Sequence, residues 1–196
     1  GCKDYAGQGN HNLRVGDVDG DGYDEIIYGS CAIDHNGKGL YTTEMGHGDA
    51  IHLTHFDPSR KGLQVWDCHE NKRDGSTYRD AATGEVLFQI KDNTDVGRCM
   101  AADIDPTQPG VEMWSVASGG IRNVEGEVVK DRVRGLSCNM AVWWDGDLLR
   151  ELLDRNMVSK YNWEKGVCER IAIFEGTLSN NGTKANPCLL GDIVGD

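Results

Sequence analysis

"GDVDGDGYDEIIYG", residues 16–29, is the stretch that decides the fold, because it places five carboxylates within nine residues and then continues into an apolar segment. Crowded carboxylates repel one another unless a hard cation lies among them, and calcium takes about six to eight oxygen ligands from carboxylates and carbonyls. Gly22 permits the sharp bend that such a loop needs. The predicted ligands are Asp17, Asp19, Asp21, the carbonyl of Tyr23, and Glu25. A solvated acidic turn is the alternative.

The loop differs from an EF-hand in where it closes. An EF-hand requires a glutamate at the twelfth position, and the twelfth residue counted from Asp17 is Tyr28. Here the closing acid is Glu25, and the chain continues directly into a predicted strand, as in the calcium-containing blades of β-propellers.

The rest of the chain also predicts an all-β protein. Its apolar runs are short and are separated by turn-forming clusters, with 26 glycines against 4 prolines. Residues 147–157, "DLLRELLDRNM", have helical character, and a pair of strands around residues 154–156 is the alternative. Strands are predicted at residues 13–15, 25–28, 39–44, 50–56, 63–67, 77–80, 86–90, 100–103, 111–116, 121–123, 128–129, 140–144, 167–174 and 189–193.

An acidic turn after a short apolar strand recurs along the chain. It is present in residues 13–34, 100–121 and 188–196, and residues 52–67 contain a weaker copy around Asp57-Pro58. Repeats built from several short strands with one acidic turn each indicate propeller blades. The third copy ends at Gly195-Asp196, and the first residues look like mid-domain sequence, so we expect the chain to be part of a longer protein.

Composition excludes several classes of function. The net charge of -12 and the pI near 4.8 argue against binding to a phosphate backbone, which needs basic patches. No apolar run approaches the length of about 20 residues that spans a membrane. The seven cysteines form no Cys-x-x-Cys pair, so a zinc site is not predicted, and their wide spacing gives no disulfide framework.

Four stretches in order carry a resemblance to a known family. They are "GNHNLRVGDVDGDGYDEIIYG", "LYTTEMGHGDAIHLTHFDPSRKGLQVW", "VGRCMAADIDPTQPGVEMW" and "NGTKANPCLLGDIVGD". Together they resemble the family 11 polysaccharide lyases, the rhamnogalacturonan lyases. The resemblance implies an eight-bladed, calcium-containing β-propeller. Residues 1–196 would be a partial catalytic domain of about three blades, truncated at both ends.

The same resemblance implies a reaction and a substrate. Such enzymes cleave the bond between rhamnose and galacturonate in the pectic polysaccharide rhamnogalacturonan I by β-elimination. The proton at C5 of the uronate is weakly acidic while the neighbouring carboxylate keeps its charge, so a metal ion or an arginine must neutralise that carboxylate. A base then removes the proton, and an acid or water assists the leaving oxygen.

Five residues are candidates for the catalytic site. Arg98 can hold a substrate carboxylate with two hydrogen bonds, and Lys184 can act as the base if burial lowers its pKa. His47 and Asp49, in "GHGDA", lie two apart and so face the same side of an extended chain, which suits calcium ligation or a polarised histidine. His11 precedes the first strand. The alternatives are a surface pair of Arg98 with an aspartate at 92 or 95, a solvated Lys184, and a turn role for His11.

Further acidic residues predict more calcium sites. The second predicted loop uses Asp103, Asp105, Glu112 and a carbonyl from residues 108–110. Asp192 and Asp196 would belong to a third loop, and His69 with Glu70 to another site. The tryptophans divide into two groups: Trp66, Trp114, Trp143 and Trp144 are predicted core residues, whereas Trp163 is the candidate for stacking on a sugar ring.

Two other functions remain open from the sequence. One is a non-catalytic, integrin-like calcium propeller for adhesion or carbohydrate binding, which has no need of Arg98 and Lys184 together. The other is a glycoside hydrolase, which needs two carboxylates flanking one bond, and no such pair is free of a predicted calcium role. For the lyase we expect secretion, a monomer, Ca2+, and no nucleic-acid or membrane partner. Internal versus terminal cleavage stays open.

Overall fold

Four antiparallel sheets of four strands each make up the protein in the computed structural model, which describes residues 2–117, 119–178 and 191. The described residues contain no α-helix; a single 3-10 turn, Cys2–Tyr5, precedes the first sheet. Nor do they include a helix long and apolar enough to cross a membrane. The predicted all-β class is therefore confirmed.

Each sheet is a meander in which consecutive strands pair. The first contains β1 (Arg14–Gly16), β2 (Glu25–Tyr28), β3 (Cys31–Ile33) and β4 (Gly39–Thr42). The second contains β5 (Gly48–Thr54), β6 (Gln64–His69), β7 (Ser76–Asp80) and β8 (Val86–Ile90). The third contains β9 (Cys99–Ala102), β10 (Glu112–Ser115), β11 (Ile121–Arg122) and β12 (Val128–Lys130). The fourth contains β13 (Met140–Val142), β14 (Glu151–Asp154), β15 (Met157–Asn162) and β16 (Val167–Ile173).

The core consists of three apolar layers, each between two successive sheets. Ile27 of the first sheet shares a layer with Ile51 and Val65 of the second. The other two layers are built in the same way, because strands that are apolar on both faces are covered by a neighbouring sheet on each side. The other layers contain Phe56, Trp66, Tyr78 and Met113 between sheets two and three, and Met100, Trp114, Leu152 and Tyr161 between sheets three and four.

Two fully buried tryptophans bind the layers together. The indole nitrogen of Trp66 donates to the carbonyl of Trp114 over 3.2 Å, and that of Trp114 donates to the carbonyl of Ser137 over 2.8 Å. A buried indole N–H needs an acceptor, and these two hydrogen bonds provide one for each tryptophan. Their predicted core role is confirmed.

The first strands of successive sheets lie side by side. β1 contacts β5, β5 contacts β9, and β9 contacts β13. The residues that precede these strands therefore collect at one end of the molecule, and the loops that follow them collect at the other.

The predicted helix at residues 147–157 is wrong, and the strand alternative holds. Leu152 is fully buried between sheets three and four, and Asp154 pairs with Met157 across a two-residue turn. Arg155 adopts a left-handed φ of 55° in this turn. Pairing with β13 and β15 and burial of Leu152 thus outweigh the local helical pattern.

A second correction concerns the number of sheets: the described residues form four four-stranded sheets, whereas the sequence predicted about three blades. The predicted strands did not include β3, which has three residues, or β14 and β15, which were foreseen only as the alternative to the helical pattern at residues 147–157. The predicted strands that fall on described residues are all present; β2 and β8 have the predicted bounds, and the bounds of the others are shifted. The strand predicted at residues 189–193 lies outside the described residues.

Candidate functional site

The segments that precede the first strands are tied together by backbone hydrogen bonds. His11 N donates to the carbonyl of Gly48 over 3.2 Å, and Glu70 N donates to that of His47 over 3.0 Å. Val96 N donates to the carbonyl of His69 over 3.1 Å, which adds the segment before β9. The structure thus brings together residues from four separate parts of the chain.

Two histidines and two acids form the centre of this site. His11 Nε2 lies 3.5 Å from Asp49 Oδ1, and His47 Nε2 lies 3.6 Å from Glu70 Oε1. The two imidazole rings meet edge to face with centroids 4.8 Å apart. Asp49 is buried, whereas His11 is exposed, so the site is open on one side.

The orientation of His47 is fixed by its second ring nitrogen. Nδ1 is hydrogen-bonded to the carbonyl oxygen of Gly9. A carbonyl only accepts, so Nδ1 carries a proton, and this bond directs Nε2 at Glu70. This is the arrangement that metal-binding histidines use, with one nitrogen held by the protein and the other directed at the ion.

The donor atoms are close enough to share a metal ion. Those of His11, His47 and Glu70 lie within 4.8 Å of one another, and so do those of Asp49, Glu70 and Asp95. Carboxylate oxygens suit calcium, and imidazole nitrogens also accept transition metals. The residues therefore fit a divalent cation. Asp95 was not predicted as a ligand, because nothing in its local sequence distinguishes it from other exposed acids.

His69 does not join this site, which corrects its predicted pairing with Glu70. The ring is fully buried, with Nε2 2.8 Å from Thr77 Oγ1 and Nδ1 3.4 Å from Ser30 Oγ. Both nitrogens are thus engaged inside the protein. Burial lowers the pKa of His69, in agreement with a neutral structural role.

Arg98 stands directly before β9 with an unsatisfied guanidinium. Its Nε and Nη2 are buried and have no hydrogen-bond partner in the part of the chain that the structure describes. Asp92, one of its two possible surface partners, instead accepts from the backbone and hydroxyl of Thr94. A buried charged donor without a partner is costly, and a substrate carboxylate would satisfy it. Lys184 and Asp192 lie outside the described residues.

The first acidic loop is folded around its own carboxylates at the opposite end of the strands. Asp17 accepts from Gly20 N over 2.7 Å and from Gly22 N over 3.0 Å, and both glycines have the positive φ that this path needs. Asp21 accepts from Tyr23 N over 2.8 Å.

Glu25 lies where the sequence places the closing acid of the first loop, and its role as a calcium ligand stays a prediction. It is fully buried; its Oε2 accepts from Val18 N over 3.0 Å, while its Oε1 has no hydrogen-bond partner among the residues that the structure describes. Its carboxylate is close to those of Asp17 and Asp19. A buried carboxylate oxygen without a partner beside other acids fits a cation. His35 was not predicted here, but its Nδ1 lies 3.4 Å from Asp21 and 3.6 Å from Glu25.

The second predicted calcium loop has a different structure. Asp105 accepts from both the backbone nitrogen and the hydroxyl of Thr107, over 3.0 and 2.6 Å. Glu112 accepts from the nitrogens of Ile104 and Asp105, each over 2.8 Å. Asp103, Asp105 and Glu112 are not among the described groups whose donor atoms lie within 4.8 Å of one another. Burial raises the pKa of Glu112 to about 8, which favours the neutral acid.

The exposed tryptophans differ partly from prediction. Trp143 and Trp144 are 62% and 50% exposed, so their predicted core role is wrong. Trp143 lines a cavity of about 610 Å³ along the first strands, where the guanidinium of Arg150 lies 4.7 Å from its ring centroid. Trp163 is 40% exposed, and its stacking on a sugar stays a prediction.

Comparison with known proteins gives matches over the whole chain. The model of the family described as "Rhamnogalacturonan lyase family 11, C-terminal domain" matches residues 1–196. The rhamnogalacturonan endolyase YesW of Bacillus subtilis (strain 168) is 50% identical over 198 residues, which cover all of this chain and 32% of that protein. The rhamnogalacturonan exolyase YesX of the same strain is 49% identical over 213 residues, which cover all of this chain and 35% of that protein.

Solved structures agree with these matches. The crystal structure of rhamnogalacturonan lyase YesW superposes with a TM-score of 0.91 at 50% identity, covering 95% of this chain and 32% of that one. The Bacillus licheniformis rhamnogalacturonan lyase PL11 superposes with a TM-score of 0.90 at 49% identity, covering 94% and 31%. The chain therefore spans about a third of the length of the relatives it matches.

Proposed function

The chain belongs to rhamnogalacturonan lyase family 11, and on that premise we propose that it forms part of a lyase that cleaves rhamnogalacturonan I between rhamnose and galacturonate by β-elimination. The names of its relatives support the polymer and the class of reaction. The observation that carries the proposal is that the buried Nε and Nη2 of Arg98 have no hydrogen-bond partner among the described residues, at the same end of the first strands as His11, His47, Asp49 and Glu70.

Charge neutralisation is the first requirement of the reaction, because a uronate that keeps its full negative charge resists loss of the C5 proton. Arg98 meets it by holding the substrate carboxylate with two hydrogen bonds. A bound divalent cation, proposed to be Ca2+, supplies further neutralisation of the carboxylate. Two groups that share Glu70 could hold it: His11 and His47 with Glu70, or Asp49 and Asp95 with Glu70.

The base and the acid are assigned from the resemblance. Lys184 is proposed to remove the C5 proton, and water assists the leaving oxygen of rhamnose. His11 is 62% exposed, so it also lies where it can contact the sugar. Since a polymer must reach these residues, the open side of the site is consistent with the substrate.

The sheets are proposed to be four consecutive blades of a calcium-containing propeller. Face-to-face packing and the side-by-side first strands support this arrangement. The resemblance gives eight blades in all, so the remaining blades would come from residues outside this chain. The first loop, with Asp17, Asp19, Asp21, the Tyr23 carbonyl and Glu25, is the proposed structural calcium site. Secretion and a monomeric state remain part of the same proposal.

A binding module is the second candidate function. It would explain an acidic loop and an exposed Trp163, but it gives no reason for the buried Nε and Nη2 of Arg98 to lack a hydrogen-bond partner in the part of the chain that the structure describes.

The test uses the full-length protein and rhamnogalacturonan I. We expect ultraviolet absorbance from an unsaturated uronate to grow with calcium present and to stop with a chelator. New reducing ends without absorbance would mean hydrolysis, and tight binding with neither signal would establish a binding module. The length distribution of early products separates internal from terminal cleavage.

A further inference from the structure

Each of the four sheets has an equivalent loop between its first and second strands. In each sheet the first residue of the second strand directs its side chain towards this loop and accepts a hydrogen bond from a backbone N–H of the loop. The four bonds are Val18 to Glu25 at 3.0 Å, Phe56 to Gln64 at 2.9 Å, Ile104 to Glu112 at 2.8 Å, and Trp144 to Glu151 at 2.8 Å. These bonds align the loops in two pairs: the first and fourth loops span 7 residues between donor and acceptor, and the second and third span 8.

The first and fourth loops match most closely in this alignment. "DGDGYDE" at residues 19–25 corresponds to "DGDLLRE" at residues 145–151, with acids at the same first, third and seventh positions. In the fourth loop, the donor oxygens of Asp145, Asp147 and Glu151 lie within 4.8 Å of one another. The fourth loop therefore has most of the ligand pattern of the proposed calcium loop. It lacks only the acid before it, where Trp143 replaces Asp17.

A lysine fills the centre of the fourth loop. Lys160 Nζ lies 2.5 Å from Asp145 Oδ2, 2.6 Å from Asp147 Oδ2 and 2.9 Å from Glu151 Oε1. An ammonium group has three donors; here Asp145 and Asp147 accept hydrogen bonds from it, and Glu151 Oε1 lies within ion-pair distance. Burial acts to lower the pKa of Lys160, and hydrogen bonds to the three acids outweigh it and raise that pKa.

The register of the sheets explains why only the fourth loop has this cation. Lys160 on β15 is the cross-strand partner of Glu151 on β14. In the first sheet Ile26 pairs with Ile33, so continuing the antiparallel register by one residue places Asp34 opposite Glu25. The first loop thus has an acid where the fourth loop has a lysine.

The two remaining loops need no cation at their aspartate. Asp57 accepts from the nitrogen and hydroxyl of Ser59 over 2.9 and 2.7 Å, and Thr107 bonds to Asp105 in the same way. A hydroxyl residue follows Pro in both, where the first and fourth loops have Asp-Gly-Asp. The same loop framework therefore occurs in three forms: with the proposed calcium ligands, with a lysine ammonium, and with a hydroxyl that hydrogen-bonds the aspartate.

We propose that the ammonium of Lys160 is a built-in cation that occupies the calcium position of the fourth loop, and that removing it converts this loop into a divalent-cation site. The ligands of that site would be Asp145, Asp147 and Glu151, with the carbonyl of Leu149 at the position that corresponds to Tyr23. The proposal stands on the geometry of this loop and does not depend on lyase activity.

The experiment compares the full-length protein with its Lys160→Met variant and uses terbium as the probe. Trp143 and Trp144 adjoin Asp145, so an ion in this loop would be sensitised through tryptophan. We expect Lys160→Met to gain tryptophan-sensitised terbium luminescence and one bound calcium per chain. Adding Asp147→Asn to the Lys160→Met variant should abolish both gains. Lys165→Met is the matched control, because Lys165 pairs with Glu169 on the same sheet, at 2.8 Å, outside the loop.

Two results would overturn the proposal. One is a wild-type protein that already loses a bound ion on Asp147→Asn; the other is a Lys160→Met variant that gains none. Because Lys160→Met leaves three acids unneutralised, its thermal unfolding is also measured with and without calcium. A larger calcium-dependent rise in Tm than that of Lys165→Met supports the proposal, and an equal rise, or a variant that calcium does not restore, contradicts it.

Discussion

Arg79 and Asp67 form an ion pair of 3.1 Å in which neither side chain is exposed to solvent. Arg79 also donates to the carbonyl of Gly29 in the first sheet, and Asp67 accepts from Asn10 Nδ2 over 2.7 Å. Asn10 precedes His11 in the chain, so the network connects the second sheet to the first and to the segment that carries a candidate ligand.

Replacing Arg79 by Met should therefore destabilise the protein strongly. The change leaves Asp67 as a buried charge without its cation, which typically costs about 3–5 kcal/mol. Denaturant unfolding of the full-length protein measures the loss. The double variant Arg79→Met with Asp67→Leu should recover part of it, and equal instability of the single and double variants would show that the pair itself is not the cause.

Substitutions in the histidine cluster should weaken binding of a divalent cation at the candidate site. His47→Ala removes a nitrogen donor, and Glu70→Gln removes the carboxylate that both groups of donor atoms share. We expect the dissociation constant of this site to rise at least about tenfold for each, measured by calorimetry on the full-length protein. His55→Ala is the control, because that histidine bonds to the Arg60 carbonyl in an exposed loop. Unchanged affinity in His47→Ala would remove this site from the proposed mechanism.

Arg98 variants should separate charge from geometry in the lyase reaction. Arg98→Ala should lower kcat by about 10²–10³, which is the usual cost of losing one donor that stabilises developing negative charge. Arg98→Lys keeps the charge but cannot form the bidentate pair of hydrogen bonds with the carboxylate, so we expect it to recover only a small part of the rate. The initial rate of unsaturated uronate formation is the measurement.

The control for Arg98 is Arg60→Ala. Arg60 is half exposed and pairs with Asp57 at the opposite end of β5, so this variant should keep the wild-type rate. A normal kcat in Arg98→Ala, with only the affinity for polysaccharide reduced, would instead show that Arg98 binds the substrate without stabilising the transition state.

The sequence predicted what is local and missed what depends on strand register. The acids at residues 17–25 lie close together in the chain, and Glu25 lies where their spacing places the closing acid of the loop. Lys160 reaches Asp145 only because β15 pairs with β14 in one register. Asp95 and His35 are likewise brought to acids from other segments by the packing of turns, which no local pattern encodes.

The second predicted loop differs from the first for a similar physical reason. The spacing of Asp103, Asp105 and Glu112 resembles that of the first loop, but Pro106 and Thr107 replace Gly20 and Asp21. The hydroxyl of Thr107 then satisfies Asp105 from within the loop. Hydrogen bonding inside the turn thus removes the ligand geometry that the acidic residues suggested.

Glu112 gives the pH dependence that follows from this difference. Burial raises its pKa to about 8 from an ordinary value of 4.5. A carboxyl whose pKa is raised on folding stabilises the folded state fully at pH below 4.5, and that stabilisation is lost as pH rises to about 8. Within this window the free energy of unfolding should fall by up to about 1.4 kcal/mol per pH unit from this group.

Glu112→Gln should remove that fall, because the amide keeps an acceptor for Ile104 and Asp105 and has no charge to bury. Gln64 already makes the corresponding bonds to Phe56 and Asp57 in the second loop. We therefore expect Glu112→Gln to be more stable than the wild type near pH 8, measured by chemical unfolding across pH in the full-length protein. A destabilised variant that also loses one bound calcium ion would instead restore the calcium-loop interpretation of residues 103–112, because a metal ligand would then be ionised and its loss would cost stability.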